Sequence, residues 1–448
     1  MNALTRRRFL EAAAASGLVY TFGGRLGGSY AQAATFSDYK ALVCVFLLGG
    51  NDSWSMVVPT STAEYNAYAA SRQNLAIALD ALLPISPSNP LPATYGLHPS
   101  LASLKPLFDS GKCAFIANVG PLIVPTTRAQ YVAGSVPLPP QLFSHNDQQN
   151  QWQSLRGRAQ LKTGWAGRVA DAFASQLGTQ QLPMNVSLSG TSFMQAATSV
   201  KPYVMGPTGP AALTAFGASG APLNRRNSYM NVANATYPSI YERIDADQSR
   251  RTIAYAAAVT SALAAAPALG VTFPTSVLGQ QLQTVAKLIA VRESLAATRQ
   301  VFFITMGGFD THDEQLANQP TLLGGVAASL AAFQSAVDGL GVGANVTTFT
   351  QSDFGRTLTS NGDGSDHAWG GLQLVLGGSV LGRRIYGSYP DLRIGAANDV
   401  GGGRFIPDVS SDQYVATLVR WFGVPEATIP TIAPSIGNFT SQDLGFLA

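Results

Sequence analysis

One continuous apolar run, KALVCVFLL at residues 40–48, is followed directly by GGND at residues 49–52. Continuous rather than alternating hydrophobicity is typical of a strand that is covered on both faces, as the central strands of a parallel sheet are. The two glycines favour a tight turn at the end of the strand. The run therefore predicts a buried parallel strand with Asn51 and Asp52 at its carboxyl end.

The order of strand and helix recurs along the chain. Further strands are expected at residues 113–119, 184–188, 301–305 and 346–350. Helices with one apolar stripe precede the last two of these strands, which favours an α/β fold with a doubly wound, mostly parallel sheet. Ligands bind beyond the carboxyl ends of the strands in such sheets. Asp52, Asp310 and Asp353 are each expected at such an end.

The middle of the chain has a different character. Residues 206–222 are dense in Gly, Pro, Ala and Ser, and a long helical pattern begins near Ser239. We expect an inserted cap at about residues 190–274 within one large domain, residues 34–448. The longest apolar stretch in that domain, residues 253–271, is alanine-rich and interrupted by Pro267, so stable insertion into a membrane is not expected.

The first residues carry an export pattern. The hexapeptide TRRRFL at residues 5–10 is a twin-arginine core, and AQA at residues 31–33 follows a weakly hydrophobic segment. Residues 1–33 are therefore expected to be a twin-arginine signal peptide, which predicts a periplasmic or secreted protein.

Charge and cysteine content exclude several classes of protein. The 28 basic and 25 acidic residues become 24 of each once the four arginines and one glutamate of residues 1–33 are set aside. No basic surface is then expected for a nucleic acid. Cys44 and Cys113 are the only cysteines. Their sequence leaves a disulfide and two buried thiols equally open, and two cysteines do not form a zinc cage.

Three motifs carry aspartate, and two of them also place a histidine beside the carboxylate group. They are GGFDTH at residues 307–312, SDFGR at residues 352–356 and SDHAWG at residues 365–370. Any one of the aspartates could be a helix N-cap. Several carboxylates at one sheet edge would repel one another unless a cation neutralised them. The pattern predicts one or two divalent metal ions, with zinc or manganese favoured and magnesium or calcium as alternatives.

Together with GGND at residues 49–52 and Ser144-His145, these motifs resemble the series of the DUF1501 family. These exported proteins of unassigned function are grouped with the alkaline phosphatase and sulfatase superfamily, and the resemblance covers nearly all of residues 34–448 in order. It implies an alkaline phosphatase-like fold in which Asp52 and Asp353 serve one metal, and Asp310, His312 and His367 serve another. It also implies Ser144 as the nucleophile at a helix N-terminus.

The sequence departs from the superfamily pattern at Phe354, where a histidine ligand is expected. The first metal site is then weak, a single metal is bound, or catalysis has been lost. His145 could supply the missing imidazole or could be a polar residue at a helix start. Arg356 has the fork geometry to bind phosphate or sulfate, and an ion pair with an aspartate is the alternative. Asp366 is expected to orient the imidazole of His367.

The leading interpretation is an exported metal-dependent hydrolase of phosphate or sulfate esters. Its substrate would be a small anionic ester or a polymer-linked one, with Ser144 attacking and Arg356 binding the non-bridging oxygens. The alternative is a non-catalytic periplasmic binding or assembly protein that retains the fold and one metal, so its status as an enzyme stays open. No Gly-x-Ser-x-Gly or Gly-x-Gly-x-x-Gly motif supports a serine hydrolase or a dinucleotide enzyme.

Overall fold

The apolar run at residues 40–48 forms a central strand of the main sheet in the computed structural model, which describes residues 36–178, 180–212 and 215–448. The predicted signal peptide, residues 1–33, lies outside the described residues. Residues 37–448 form one compact unit.

Strands account for the main sheet and two small ones. They are β1 (Lys40–Leu47), β2 (Val57–Pro59), β3 (Leu83–Ile85), β4 (Tyr95–Leu97), β5 (Cys113–Gly120), β6 (Asn185–Ser187), β7 (Tyr203–Val204), β8 (Arg299–Met306), β9 (Val346–Ser352), β10 (Arg356–Ser360), β11 (Ser365–His367), β12 (Gly371–Gly377), β13 (Arg384–Tyr386) and β14 (Val409–Ser410).

Helices connect and cover these strands. They are α1 (Thr62–Arg72), α2 (Lys105–Asp109), α3 (Arg128–Ala133), α4 (His145–Ser154), α5 (Trp165–Phe173), α6 (Gly220–Asn234), α7 (Ile240–Ala265), α8 (Val277–Ala290), α9 (Gln315–Gly339), α10 (Ser411–Phe422) and α11 (Ile429–Ile432). A 3-10 turn at Pro99–Leu101 precedes α2.

The main sheet is mostly parallel. Its strand order is β13-β5-β12-β9-β1-β8-β6-β7, with β14 also paired to β5. Strand β1 is parallel to both neighbours, β8 and β9, whereas β12 is antiparallel to β5 and β9. The predicted α/β fold is therefore confirmed, with β12 as the strand that runs against the others.

Helices pack on both faces of this sheet. Val43 and Val45 of β1 join the core that contains Leu282 of α8 and Leu330 of α9. On the opposite face, the ring of Phe349 in β9 contacts Trp165 of α5 and Tyr414 of α10, with centroid distances of 6.1 Å to each. Burial on both faces explains why β1 is apolar at consecutive positions.

The carboxyl ends of the three central strands are level with one another. Leu47 at the end of β1 is in register with Met306 of β8 and Ser352 of β9. Asp52, Asp310 and Asp353 follow these three strands, so the structure places all three at the same edge of the sheet, as expected.

Residues 190–274, expected to form a cap, contain β7 at the edge of the main sheet and the paired helices α6 and α7. Val259 and Ala262 of α7 pack on the main core. The role of this segment as a cap stays a prediction. Cys44 and Cys113 are buried free thiols, so of the two alternatives that the sequence left open, a disulfide or two thiols, the structure has the thiols.

Among the described residues, α9 is the helix long and apolar enough to cross a membrane by length and composition. Half of its most apolar window is buried inside the protein, and Leu323, Val326 and Phe333 belong to the main core. These contacts are those of a core helix.

Substitutions on α9 test this assignment. Leu330 is fully buried, whereas Leu316 on the same helix is 55% exposed. We expect Leu330→Ala to lower the free energy of unfolding by about 2–5 kcal/mol because a cavity remains in the core. The matched change Leu316→Ala should alter it by about 0.5 kcal/mol or less. Equal effects in urea denaturation would contradict a core position for this helix.

Candidate metal centre

Two glycines bring the loops at the sheet edge into contact. Gly49 and Gly50, which follow β1, have φ values of +114° and +84°. A Cβ atom on Gly49 would lie 2.3 Å from the backbone nitrogen of Asp310, and one on Gly50 would lie 2.4 Å from the ring of Phe354. Glycine allows both the left-handed conformation and this close approach. The turn after β1 therefore lies directly against the loops after β8 and β9.

The side chain of Arg356, at the start of β10, holds these loops together. Its guanidinium is fully buried and donates to five oxygens: those of Gly49 at 2.5 Å, Gly50 at 2.9 Å, Ser365 at 2.8 Å and Phe309 at 3.1 Å, and Oδ1 of Asp310. The ion pair weighed in the sequence analysis is thus present. These contacts leave Arg356 inside the protein, where a positioning role is favoured over the predicted contact with substrate.

Three imidazoles surround the Asp310 carboxylate. The Nε2 atoms of His312 and His367 lie 3.2 Å and 3.3 Å from its Oδ1, and Nε2 of His145 lies 3.4 Å from its Oδ2. The Nε2 atoms of His312 and His367 are 2.8 Å apart. His145, Asp310 and His367 form a group whose ligand atoms could hold a metal ion. The structure therefore brings together three of the predicted ligands and adds His145.

The Nδ1 atom of each imidazole faces an acceptor on the far side of its ring. His145 Nδ1 lies 2.7 Å from Asp353, His312 Nδ1 lies 3.2 Å from Asp366, and His367 Nδ1 lies 2.7 Å from the carbonyl oxygen of Phe143. A carbonyl oxygen only accepts, so Nδ1 of His367 carries the proton, and the carboxylates indicate the same for the other two rings. Each neutral ring then presents a bare Nε2 to the Asp310 side.

The contacts of Asp353 favour a different role from the predicted one of metal ligand. Its carboxylate is fully buried and accepts from Nδ1 of His145 and, at 2.9 Å, from Gln149. It orients an imidazole from behind, as carboxylates near metal sites commonly do. Asp366 does the same for His312, although it was expected to orient His367.

Asp52 also differs from its prediction. Its buried carboxylate forms an ion pair with Arg72 of α1 and accepts from Ser55 at 2.7 Å and Gln315 at 2.5 Å. The guanidinium supplies the positive charge that a metal was expected to supply. The structure does not bring Asp52 and Asp353 into one cluster, since their partners differ. The described contacts thus do not assemble the first predicted metal site, and Asp52 and Asp353 as its ligands stay a prediction.

The imidazole cluster is charged and partly exposed to solvent. Burial raises the pKa of Asp310, but hydrogen bonding and the positive charge of Arg356 outweigh it, and the pKa lies below its usual range. Burial lowers the pKa of His367, although its bond to Phe143 acts in the opposite direction. The Asp310 side chain is 48% exposed and the three imidazoles are 23–39% exposed. The cluster is thus open to a ligand.

A surface pocket of about 430 Å³ adjoins the cluster, with His312, His367 and Arg404 in its wall. Arg404 donates to the carbonyl oxygens of His367 at 2.9 Å and Gly401 at 3.0 Å. Its Nη2 has no hydrogen-bond acceptor in the part of the chain that the structure describes. Arg404 was not among the residues predicted from the sequence. The one sequence feature beside it is the run of glycines directly before it, Gly401-Gly402-Gly403.

Ser144 lies between Phe143, which lines this pocket, and His145 of the cluster. It is the N-cap residue of α4, but its hydroxyl donates to Asp147 at 2.8 Å and does not cap the helix. The predicted nucleophile therefore lies at a helix N-terminus and beside a carboxylate. Its catalytic role stays a prediction.

The buried guanidinium yields a stability prediction. We expect Arg356→Gln to lower the free energy of unfolding by at least about 3 kcal/mol, because each buried carbonyl left without a donor costs about 1–3 kcal/mol. Arg393, which is 60% exposed and paired with Asp391, provides the control. Arg393→Gln should cost about 1 kcal/mol or less in the same urea titration. A stable Arg356→Gln protein would restore the prediction of direct substrate binding.

Two solved structures show weak similarity to the chain. The C-terminal periplasmic domain of EcEptC from Escherichia coli, in complex with Zn, has 9% sequence identity and a TM-score of 0.29, covering 76% of this chain and 74% of that one. A 2-O GAG sulfatase has 10% identity and a TM-score of 0.30, covering 89% and 74%. TM-scores of this size do not establish an activity.

Sequence comparison gives the family. No curated protein matches the chain. A family model described as "Protein of unknown function (DUF1501)" matches residues 39–404. That span is most of the chain, and it includes β1, the Asp310 and His312 loop, Arg356 and His367. As the motif resemblance predicted, the chain belongs to the DUF1501 family.

Proposed function

We propose that the chain is an exported metal-dependent hydrolase of phosphate or sulfate esters, with its metal centre at His145, Asp310, His312 and His367. The observation that carries the proposal is the common orientation of the three imidazoles. Each Nδ1 faces an acceptor, and each Nε2 faces the Asp310 carboxylate. Export rests on the twin-arginine pattern of residues 1–33.

The donor set fits a divalent cation. Nε2 of His312, Nε2 of His367 and Oδ1 of Asp310 lie within 3.3 Å of one another, and all three are acceptors when the rings are neutral. Acceptors this close repel one another unless a proton or a metal ion lies among them. Three imidazoles with one carboxylate favour zinc or manganese over magnesium or calcium. One ion is proposed, because Arg72 already neutralises Asp52.

The residues around the centre divide the work of ester hydrolysis. A bound metal would polarise the ester oxygens and offset developing negative charge. Ser144 attacks the phosphorus or sulfur atom, and its proton passes to Asp147, the carboxylate to which it already donates. The alcohol oxygen takes up this proton from Asp147 as its bond to phosphorus or sulfur breaks, and the alcohol leaves. Water then hydrolyses the ester formed on Ser144, which releases phosphate or sulfate and restores the hydroxyl. The first turn of α4 favours the negative charge near Ser144.

We assign recognition of the anionic group to Arg404. Its free Nη2 and its place in the pocket beside His312 and His367 suit bonding to a non-bridging oxygen. Arg356 is assigned a positioning role, since it donates to Asp310 and to the backbone of the surrounding loops.

One observation favours the alternative, a periplasmic binding or assembly protein without catalysis. Phe354 stands where the superfamily pattern expects a histidine, and its ring packs against His145 and His367 with centroid distances of 4.9 Å and 4.5 Å. A protein that keeps one metal for structure would still need His145, Asp310 and His367. It would not need the hydroxyl of Ser144, so the two functions differ at that residue.

Metal content tests the centre. Protein purified after native export should hold about one equivalent of zinc or manganese, and Asp310→Asn should lose it, because an amide binds these ions more weakly than a carboxylate. His98 provides the control, since it lies outside the cluster and accepts from the backbone of Ser100. His98→Gln should retain the metal in elemental analysis. Less than about half an equivalent, with no rise in melting temperature on adding either metal, would refute the centre.

Kinetics with 4-nitrophenyl phosphate and 4-nitrophenyl sulfate test the roles of Ser144 and Arg404. Ser144→Ala should lower kcat at least about a thousandfold, because it removes the attacking atom. Arg404→Ala should lower kcat/KM roughly 10- to 150-fold, the equivalent of one lost hydrogen bond to a charged group at about 1.5–3 kcal/mol.

The exposed Arg393 is the matched control, and Arg393→Ala should hydrolyse both esters as the unmodified protein does. Unchanged activity in Ser144→Ala would exclude Ser144 as the nucleophile. Absence of hydrolysis in metal-loaded protein would favour the non-catalytic alternative.

A further inference from the structure

A second pocket borders the start of the loop that carries Asp310. Its volume is about 650 Å³, within the range of small-molecule sites. Its wall is built from the chain that follows β6 and β7, the start of α8 and the end of β8. Like the metal centre, it therefore opens at the carboxyl edge of the sheet.

Hydrogen bonds fix the orientation of two polar side chains in this wall, Ser189 and Gln281. Ser189 Oγ accepts from the backbone nitrogen of Thr305 at 2.9 Å and from Nε2 of Gln281 at 2.7 Å. With two donors on its oxygen, the hydroxyl of Ser189 keeps its own proton for another acceptor. Within the described residues no acceptor takes this proton. The pocket thus has a hydroxyl donor in its wall.

Gln281 holds the hydroxyl of Ser189 in place. Its side chain is 2% exposed, and its Nε2 also lies 3.4 Å from the carbonyl oxygen of Leu188, which fixes the orientation of the amide because a carbonyl only accepts. Its Oε1 is buried and has no partner among the described residues. This oxygen has no surface open to the pocket, so the amide of Gln281 serves to orient the hydroxyl of Ser189, which is the group offered to a ligand.

The remaining wall is apolar and carries no charge among the described residues that line it. Met205 and Met306 contribute thioethers, which adapt to the shape of a ligand and make favourable contacts with aromatic rings. A phosphate or sulfate group would find no counter-charge in this wall. The chemistry instead suits an uncharged molecule with an apolar body and an oxygen that accepts a hydrogen bond from Ser189.

The pocket and the metal centre share one short loop. Gly307 lines the pocket, and Asp310 is three residues further along the chain. Three residues span at most about 11 Å. An ester of moderate size can therefore reach from the metal centre to this pocket.

We propose that this pocket binds the uncharged alcohol portion of the ester, while its phosphate or sulfate group lies at the metal centre. This assignment rests on the proposed hydrolase function. It names the substrate class as esters of an alcohol that has an apolar or aromatic body and, beyond the esterified oxygen, a second oxygen that accepts from the hydroxyl of Ser189.

Binding of the uncharged alcohol can be measured without catalysis. The probe is 2-phenylethanol, detected by saturation-transfer NMR with the full protein after treatment with a chelator. Val277 lines the pocket and is 58% exposed, so Val277→Trp should fill the entrance without disturbing the core. Val232 on α6 is 62% exposed and lies outside this pocket, so Val232→Trp is the matched control.

We expect 2-phenylethanol to bind the unmodified protein and Val232→Trp equally and to lose its signal with Val277→Trp. Ser189→Ala should weaken binding by roughly 2- to 13-fold, the effect of one neutral hydrogen bond. Absence of binding to the unmodified protein, or equal binding to Val277→Trp, would overturn the pocket as a site for such alcohols.

Ester kinetics test the link to the metal centre. For whichever acid the protein hydrolyses, Val277→Trp should lower kcat/KM about tenfold or more for the 4-nitrophenyl ester and leave the methyl ester within about twofold. Equal effects on both esters would overturn the assignment while leaving the hydrolase intact. If neither ester is hydrolysed, the proposed function and the link both fail, and binding of 2-phenylethanol alone decides the pocket.

Discussion

A buried guanidinium is the interaction on which the candidate site depends. Arg356 donates to backbone oxygens from the loops after β1 and β8 and from β11, and to the carboxylate of Asp310. A planar group with five donors can serve several loops at once, which an ammonium group cannot do with the same geometry. The approach of the loops also requires glycine at residues 49 and 50, since any Cβ atom there would meet the neighbouring loop. Arginine and glycine together give Asp310 its position.

The two carboxylates at this edge are neutralised in different ways. Asp52 is fully buried and is paired with Arg72, so its charge is balanced inside the protein. Asp310 is 48% exposed and faces three imidazoles in addition to Arg356. A carboxylate in a buried ion pair has no free charge or access for an external cation. An exposed carboxylate among ring nitrogens has both. This contrast explains why a single metal centre is proposed where the motif pattern predicted one or two.

Charged and uncharged groups are separated along the carboxyl edge of the sheet. The proposed metal centre includes the loop after β8, with the pocket of Arg404 adjoining it and an uncharged pocket on the side of β6. Charged groups are concentrated in the first pocket and absent from the described wall of the second. An ester has the same division into an anionic group and an alcohol. Phe354, in place of an expected ligand, packs under His145 and His367 and supports their rings.

Hydrophobic pattern and motif order determined the class of this protein. The apolar run at residues 40–48 predicted a central parallel strand because burial on both faces leaves no polar position. The motifs predicted one group of Asp310, His312 and His367, and their side chains do lie together. Only tertiary structure decided that Arg72 neutralises Asp52, that Asp353 supports His145, and that the carbonyl oxygen of Phe143, 224 positions away, orients His367. Hydrophobic periodicity is a local property of the chain and can be read from it. The partner of a charge depends on packing between distant segments, which the order of residues does not display.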